Sequence, residues 1–499
     1  MRDNIKPHPV VRVGLYSVGL KAYWAQFSGM RARLEKYGKF IEQKMTACGG
    51  EVYNFGLVED ADSGLRAGAF FAERHVDIVF CHNATYVTSD SVLPVHQACP
   101  APVVILNLQP APQLDYAGTT TGEWLAQCAG CSVPELTNAL HRAGIRYRVV
   151  NGLLGLAENP AEAVADEVSA HRPEARHAWE EIAQYIGAAS VRRALRGARF
   201  GFLGNNYSGM LDLYSDFTMV QAQTGIHVDI LEMCDLDQAL AQVTQEERAE
   251  KHRQVQAMFQ ISGDSDADPL ARKPTKAQMD WSCLVAAAQE KLVRAHGLDA
   301  LAYYYHGAAD NAYERLQSGF IVGHSLLTAR GIPCAGEGDL KTALAMKICD
   351  VLNVGGSFCE IVIVDYANGT ILVGHDGPFH IAISNGKPIL RGMGLYHGKR
   401  GSGVSVEAKV RSGPVTLLGC TQTRDGRLKL IISEGEATDG PIMQIGNTQT
   451  PVRFPKAPDA YMDAWFAEAP THHFALSVGH NGALFAKTAD LLQIPHVIL

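Results

Sequence analysis

Residues 336–375 read GEGDLKTALAMKICDVLNVGGSFCEIVIVDYANGTILVGH, and the chain changes character inside them. LKTALAMKICDVL keeps an apolar stripe at helical spacing, and Asp339 stands where an N-cap residue belongs. A Gly-Gly break at 355–356 ends that pattern. FCEIVIVDY and ILVGH follow as strands, separated by the turn sequence Ala-Asn-Gly-Thr at 367–370. The stretch therefore predicts a junction between an α/β region before it and an antiparallel β region after it.

Working outward supports that junction. Downstream, FHIAIS, VSVEAKV, PVTLLGCTQ and LKLIISEGEA alternate or run apolar between Gly, Asn and Asp turns such as Asp425-Gly426. A helix, ALFAKTADLLQ, and a strand, HVIL, close the chain. Upstream, residues 10–150 alternate strand and helix, from VVRVGLY through DIVFC and VVILNL to YRVV. Residues 160–196 read as a helical connection. A second alternating unit then runs from ARFGFLGNN to LDALAYYYHG, interrupted by the polar loop SGDSDADPLARKPT. The expected fold is α/β: two doubly wound parallel-sheet domains, residues 1–175 (flavodoxin- or Rossmann-like) and 176–335, followed by an antiparallel β-rich, barrel-like domain over 336–499.

Bulk properties exclude several classes. With 47% hydrophobic and 19% charged residues the chain is an ordinary globular one. A net charge of −8 without a dense Lys/Arg run gives no electrostatic case for nucleic acid. The N-terminus MRDNIKPHPVVRVGLY has no apolar segment before a small-residue cleavage site, and no run reaches membrane-spanning length, so the expected location is cytoplasmic, with no membrane partner. Eleven scattered cysteines do not form a secreted disulfide framework. Cys128 and Cys131 make a lone CxxC without a second ligand pair at zinc-like spacing. GNN at 204–206 lacks the spacing and lysine of a phosphate loop, and no GxGxxG sits in a βαβ setting, so no nucleotide is expected.

The chemistry-bearing residues are in the opening stretch. Glu337 sits between two glycines just ahead of the helix, Glu360 on the first strand, and His375 at the end of the second. His472-His473 near the C-terminus offers a further ligand. Oxygen and nitrogen donors without thiolate suit Mn²⁺, or another six-coordinate divalent ion such as Co²⁺ or Mg²⁺, better than structural zinc. Taken singly, each has a plainer reading: Gly-Glu-Gly-Asp as a turn with an acidic cap, a strand-end histidine as a solvated or core-satisfied one.

Together, GEGDLKTA, the glycine break, SF-x-E, a hairpin closing on Gly-His, and His-His in the last thirty residues resemble the L-arabinose isomerase family. The resemblance implies a metal-dependent aldose–ketose isomerase acting on a free sugar, an L-arabinose-like pentose or a related hexose. Carried over by motif, Glu337, Glu360, His375 and His473 are the metal ligands, with Glu337 and Glu360 also the acid/base pair. His472 lies beside them toward substrate. A homo-oligomer, in that family a hexamer, is implied as well. The hairpin is shorter here than in the family.

The N-terminal region departs further. SVGLKAYWAQF follows the first strand where the family carries a Gly-Ser-Gln-His-type loop, and WLAQCAGCSVPE replaces a histidine-bearing segment. Tyr23, Trp24 and Gln26 nonetheless suit a sugar, aromatic faces stacking on it and an amide bonding its hydroxyls. The alternative is that Trp24 and Phe27 cap the sheet edge. Gln109, in NLQPAPQLDY, resembles the family's glutamine after a central strand. Two other functions stay open: epimerisation or isomerisation of a branched, deoxy or acidic sugar on the same metal site, and non-catalytic sugar binding.

Overall fold

The first parallel sheet is built from the apolar runs noted above. Strands Arg12–Val18, Ile78–His82 and Val103–Gln109 form its centre, flanked by Glu51–Val58 and Tyr147–Leu153. All four pairings are parallel. In chain order the strands lie 2-1-3-4-5, the flavodoxin-like doubly wound arrangement. Helices Met30–Ala47, Ala61–Glu73, Ser89–Ala98 and Val133–Arg142 alternate with them. Asp60 starts the second helix through a reciprocal capping box with Ser63.

This computed structural model describes residues 4–156, 168–264, 268–308, 310–393 and 403–499. Part of the expected helical connection (160–167) and part of the polar loop (265–267) lie outside those residues. The chain divides into two compact units, Pro9–Arg193, which holds the sheet just described, and Met1–His8 together with Ala194–Leu499. The central α/β segment and the barrel segment share the larger unit. No helix among the described residues is long and apolar enough to cross a membrane.

The larger unit begins with a second parallel sheet, ordered Cys334–Ala335, Ala300–Tyr304, Arg199–Gly204, His227–Leu231. Its two-residue edge strand leads directly into Gly336. Helix Leu340–Val351 follows, and every residue from Leu340 to Asp350 is buried. It packs against the parallel sheet through Ala300–Tyr304 and against three barrel strands. That double burial explains its apolar breadth. Its buried Lys347 is satisfied by Asp350 at 2.9 Å and the Gly331 carbonyl at 2.9 Å.

The C-terminal region is a closed, six-stranded antiparallel barrel. Around it run Gly355–Asp365, Thr370–His375, Thr448–Arg453, Leu428–Ala437, Gly413–Gln422 and His473–Val478, the last pairing with the first. His496–Ile498 adds in parallel to Leu428–Ala437. Cys359, Val373, Leu417, Ile431, Phe474 and Trp465 are among its buried core. Burying each large apolar side chain contributes roughly 2 kcal/mol.

Two expected strands differ. FHIAIS is a single 3₁₀ turn at Ile381–Ile383. Phe379 N donates to Ser325 Oγ and His380 N to Ser357 Oγ, while Ile383 and Ser384 N close the turn on the His380 and Ile381 carbonyls. VSVEAKV contributes Val404–Glu407 to a separate small sheet with Ile389–Met393, Gln260–Ile261 and Ala271–Arg272, and meets the barrel through an isolated bridge of Ala408 to Thr448. The barrel is completed by Thr448–Arg453 and His473–Val478.

Candidate metal centre

Three neighbouring barrel strands and one loop deliver the site. Glu360 lies directly opposite His473 in the register of Gly355–Asp365 with His473–Val478. On its other side it pairs with Gly374, next to His375. Glu337 arrives from the turn between the parallel sheet and the buried helix. Among the described residues, two groups have ligand atoms within 4.8 Å of one another, Glu337 with His472 and His473, and Glu360 with His375 and His473. All four residues expected as ligands are thus brought together, with His472 at their edge.

The Glu337 loop is held in an unusual shape. Glu337 has φ 59°, in the left-handed region, which costs a non-glycine residue on the order of 1 kcal/mol. Gly338, at φ 72°, is required: a Cβ there would sit 2.5 Å from the Asn205 carbonyl oxygen. Tyr207 N donates to the Glu337 carbonyl at 3.0 Å, and Asn206 Nδ2 to the Gly338 carbonyl at 2.7 Å. Gly204-Asn-Asn-Tyr, at the carboxyl end of strand Arg199–Gly204, is therefore the cradle of the Glu337 loop. Spacing alone identified it only as not a phosphate loop.

Each histidine has its Nδ1 near a carboxylate, hydrogen-bonded in His472 and His473 and close without a hydrogen bond in His375. His473 Nδ1 is 3.0 Å from Asp339 Oδ2, His375 Nδ1 is 2.9 Å from Asp376 Oδ1, and His472 Nδ1 is 2.6 Å from Asp212 Oδ2. In His473, which burial keeps neutral, the Asp339 carboxylate draws the ring proton to Nδ1 and leaves the Nε2 lone pair for a ligand bond. All three Nε2 atoms face Glu337: His473 and His472 at 3.6 Å from Oε2, His375 at 3.9 Å from Oε1. Phe358 packs against the rings of His375 and His473, at 4.7 and 4.4 Å between centroids, and closes that side to water. Asp212, Asp376 and Phe358 were not anticipated as parts of the site, and Asp339 was anticipated only as a helix cap.

The electrostatics couple the carboxylates of the site to its imidazoles. Glu337 is largely buried, which opposes its charge, yet the surrounding imidazoles outweigh that and hold its carboxyl below the usual range. Burial lowers His473. Burial also works against charge on His375, but Asp376, Glu360 and Glu337 prevail and raise it. His472, burial notwithstanding, is raised to about 10 by Asp212 and Glu337. The donor set fits a divalent ion on one further observation. Glu337 Oε2 and His473 Nε2 are both buried without a hydrogen-bond partner. Two lone pairs facing each other out of water are costly unless a cation lies between them.

The sugar-facing residues expected in the N-terminal region lie in the smaller unit and belong to neither cluster. Tyr23, Trp24 and Gln26 form a one-turn helix, Tyr23–Gln26, beyond strand Arg12–Val18. Trp24 Nε1 donates to Glu59, and Arg31 stands 5.9 Å over its ring. Gln26 is exposed, and Gln109 ends strand Val103–Gln109 half-buried.

Comparison of the sequence with known proteins finds no matching family model and no matching curated protein.

Proposed function

We propose that this chain is a divalent-metal-dependent aldose–ketose isomerase acting on a free sugar, with Mn²⁺ as the ion. The observation that carries the reading is the convergence of Glu337 and Glu360 with His375, His472 and His473, of which His472 and His473 have Nδ1 hydrogen-bonded to a carboxylate. Glu337, Glu360, His375 and His473 would hold the ion. When bound, it supplies Lewis-acid polarisation of the sugar carbonyl and charge stabilisation as the enediol forms.

The remaining work falls to side chains. Aldose–ketose interconversion moves a proton between neighbouring carbons, so it needs one group to take it and one to return it. Glu337 and Glu360 are the carboxylates assigned to this exchange. His472, fixed by Asp212 and about one-third exposed, presents Nε2 to bond a sugar hydroxyl. The stacked rings of Tyr207 and Tyr304, 4.7 Å apart, stand beside the Glu337 loop as a wall for the sugar. A homo-oligomer and a cytoplasmic location belong to the same proposal.

The test is aldose-to-ketose conversion over a panel of pentoses, hexoses and deoxy sugars, using metal-stripped protein with and without Mn²⁺. Mn²⁺-dependent conversion of any one sugar supports the reading. Metal binding without conversion of any sugar overturns the isomerase assignment and leaves another sugar chemistry on the same centre. Equal sugar binding with and without metal would favour a binding protein.

A further inference from the structure

The Cys128-x-x-Cys131 pair lies in the smaller unit and has no part in the metal centre. In the fold it occupies the turn between helices Thr121–Ala126 and Val133–Arg142, with Ser132 as N-cap of the second. The two sulfurs are 2.8 Å apart, well under an ångström from a disulfide length of ~2.05 Å. Both are thiols, as are the other nine cysteines. Neither belongs to a metal-type cluster among the described residues.

The turn is fixed by the carboxyl end of strand Ile78–His82. Asn83 Nδ2 donates to the Ala129 carbonyl, Ser132 Oγ donates to Asn83 Oδ1 at 2.8 Å, and Thr85 Oγ1 donates to the Leu125 carbonyl at 2.6 Å. Asn83, Thr85 and Ser132 are all buried. The two thiols are thus held in place by the scaffold and need no rearrangement to meet. Their exposures differ: Cys131 is exposed, while Cys128 is half-buried. Burial and the neighbouring sulfur push Cys128 up to about 12, so it is not the thiol that reacts first.

We infer that Cys128 and Cys131 form a thiol–disulfide exchange site that takes a small-molecule disulfide of the glutathione type. In the first step the Cys131 thiolate bonds to one sulfur of the small disulfide. That S–S bond breaks, one small thiol leaves with a proton, and a mixed disulfide remains on Cys131. In the second step Cys128 loses its proton and bonds to the Cys131 sulfur, and the second small thiol departs. Two protein thiols are oxidised by two electrons, and the small disulfide is reduced to two thiols. The order follows from access: Cys131 meets solvent first.

The experiment uses the full chain, reduced, desalted and incubated with oxidised glutathione. Remaining thiols are then blocked with iodoacetamide and the peptides weighed. The expected product is a peptide carrying both cysteines two hydrogens lighter, with no glutathione on it, restored by dithiothreitol. C128S should stop at a glutathione adduct on Cys131, and C131S should form its adduct on Cys128 at least about ten-fold more slowly. Circular dichroism melts establish that each variant is folded, and the unsubstituted chain alone decides the matter if one is not. Full alkylation of both cysteines after exposure, or persistent glutathione adducts in the unsubstituted chain, overturns the assignment. So does preferential oxidation of the exposed Cys48 or Cys234.

Discussion

His473 Nδ1 and Asp339 Oδ2 stand 3.0 Å apart, with both side chains shut off from solvent. The same carboxylate accepts from Thr342 N at 3.0 Å and from Thr342 Oγ1 at 2.8 Å, capping the buried helix. One residue therefore fixes both where the helix starts and which ring nitrogen of His473 faces Glu337. Asp339→Asn keeps a competent cap but removes the charge that orients the imidazole. Mn²⁺ affinity should fall about 10–100-fold, and the metal-free protein should melt lower than the parent, because His473 and Lys341 hold this buried carboxyl below its usual range. Asp339→Ala loses the cap as well, about 1 kcal/mol more. Calorimetric metal titration separates the two, and parental affinity in Asp339→Asn would show that the pair does not orient His473.

Glu337→Gln preserves shape while removing a ligand oxygen's charge and the proton acceptor. On the proposed chemistry, turnover drops at least about 10²-fold. Stability of the metal-stripped protein changes by no more than about 1 kcal/mol, because burial already opposes the carboxylate that the imidazoles favour. Steady-state kinetics beside urea unfolding checks both halves. Normal turnover in this variant would remove Glu337 from the chemistry.

What the sequence revealed of this site depended on how local the signal was. Glu337 and the buried helix form one continuous motif, and Glu360 and His375 follow on consecutive strands, so spacing marks them as a divalent-metal candidate and the family resemblance alone assigns their roles. Asp212 lies 260 positions from His472 in the chain and meets it only because the larger unit folds that way. Nothing near Asp212 marks it. Thr448–Arg453 carries Pro451, a residue that argues against a strand when met in sequence, yet it pairs opposite Leu372. FHIAIS erred in the other direction: its alternation imitates a strand, but Ser325 and Ser357 satisfy its backbone from a distance. The parallel sheets were legible because both are built from short buried apolar runs between helices.

Gly338 carries a sharper prediction about the loop. Alanine there must adopt φ 72° and bring Cβ to 2.5 Å from the Asn205 oxygen, so the turn has to move. Gly338→Ala should cost about 2 kcal/mol or more and weaken Mn²⁺ binding at the same time, since Glu337 moves with it. Gly336→Ala meets side chains alone, the Phe358 ring at 3.1 Å and the Tyr303 hydroxyl at 3.8 Å, and should do less on both measures. Equal effects would mean the cradle at Asn205–Tyr207 does not set the Glu337 position.

Glu290, far from the metal centre in sequence, supplies a pH test of the larger unit. Burial raises its carboxyl, but Lys251, Arg294 and Arg330 outweigh that and hold it at about 2 against an ordinary 4.5. A carboxyl depressed on folding stabilises the folded state above its unfolded value, and that contribution drains away as pH falls from 4.5 through about 2. Glu290→Gln lacks it at every pH. The variant should therefore be less stable than the parent at pH 7, by on the order of 2 kcal/mol, with the gap narrowing below pH 4.5. Urea unfolding of the metal-free proteins at pH 7, 4.5 and 3 reads this directly. Lys251 is buried against this carboxylate, so its ammonium loses its partner charge in the variant, and some gap persists at the lowest pH. A gap that stayed constant from pH 7 to 3 would mean that Glu290 titrates alike in folded and unfolded chains, and that the three cations around it contribute packing rather than charge.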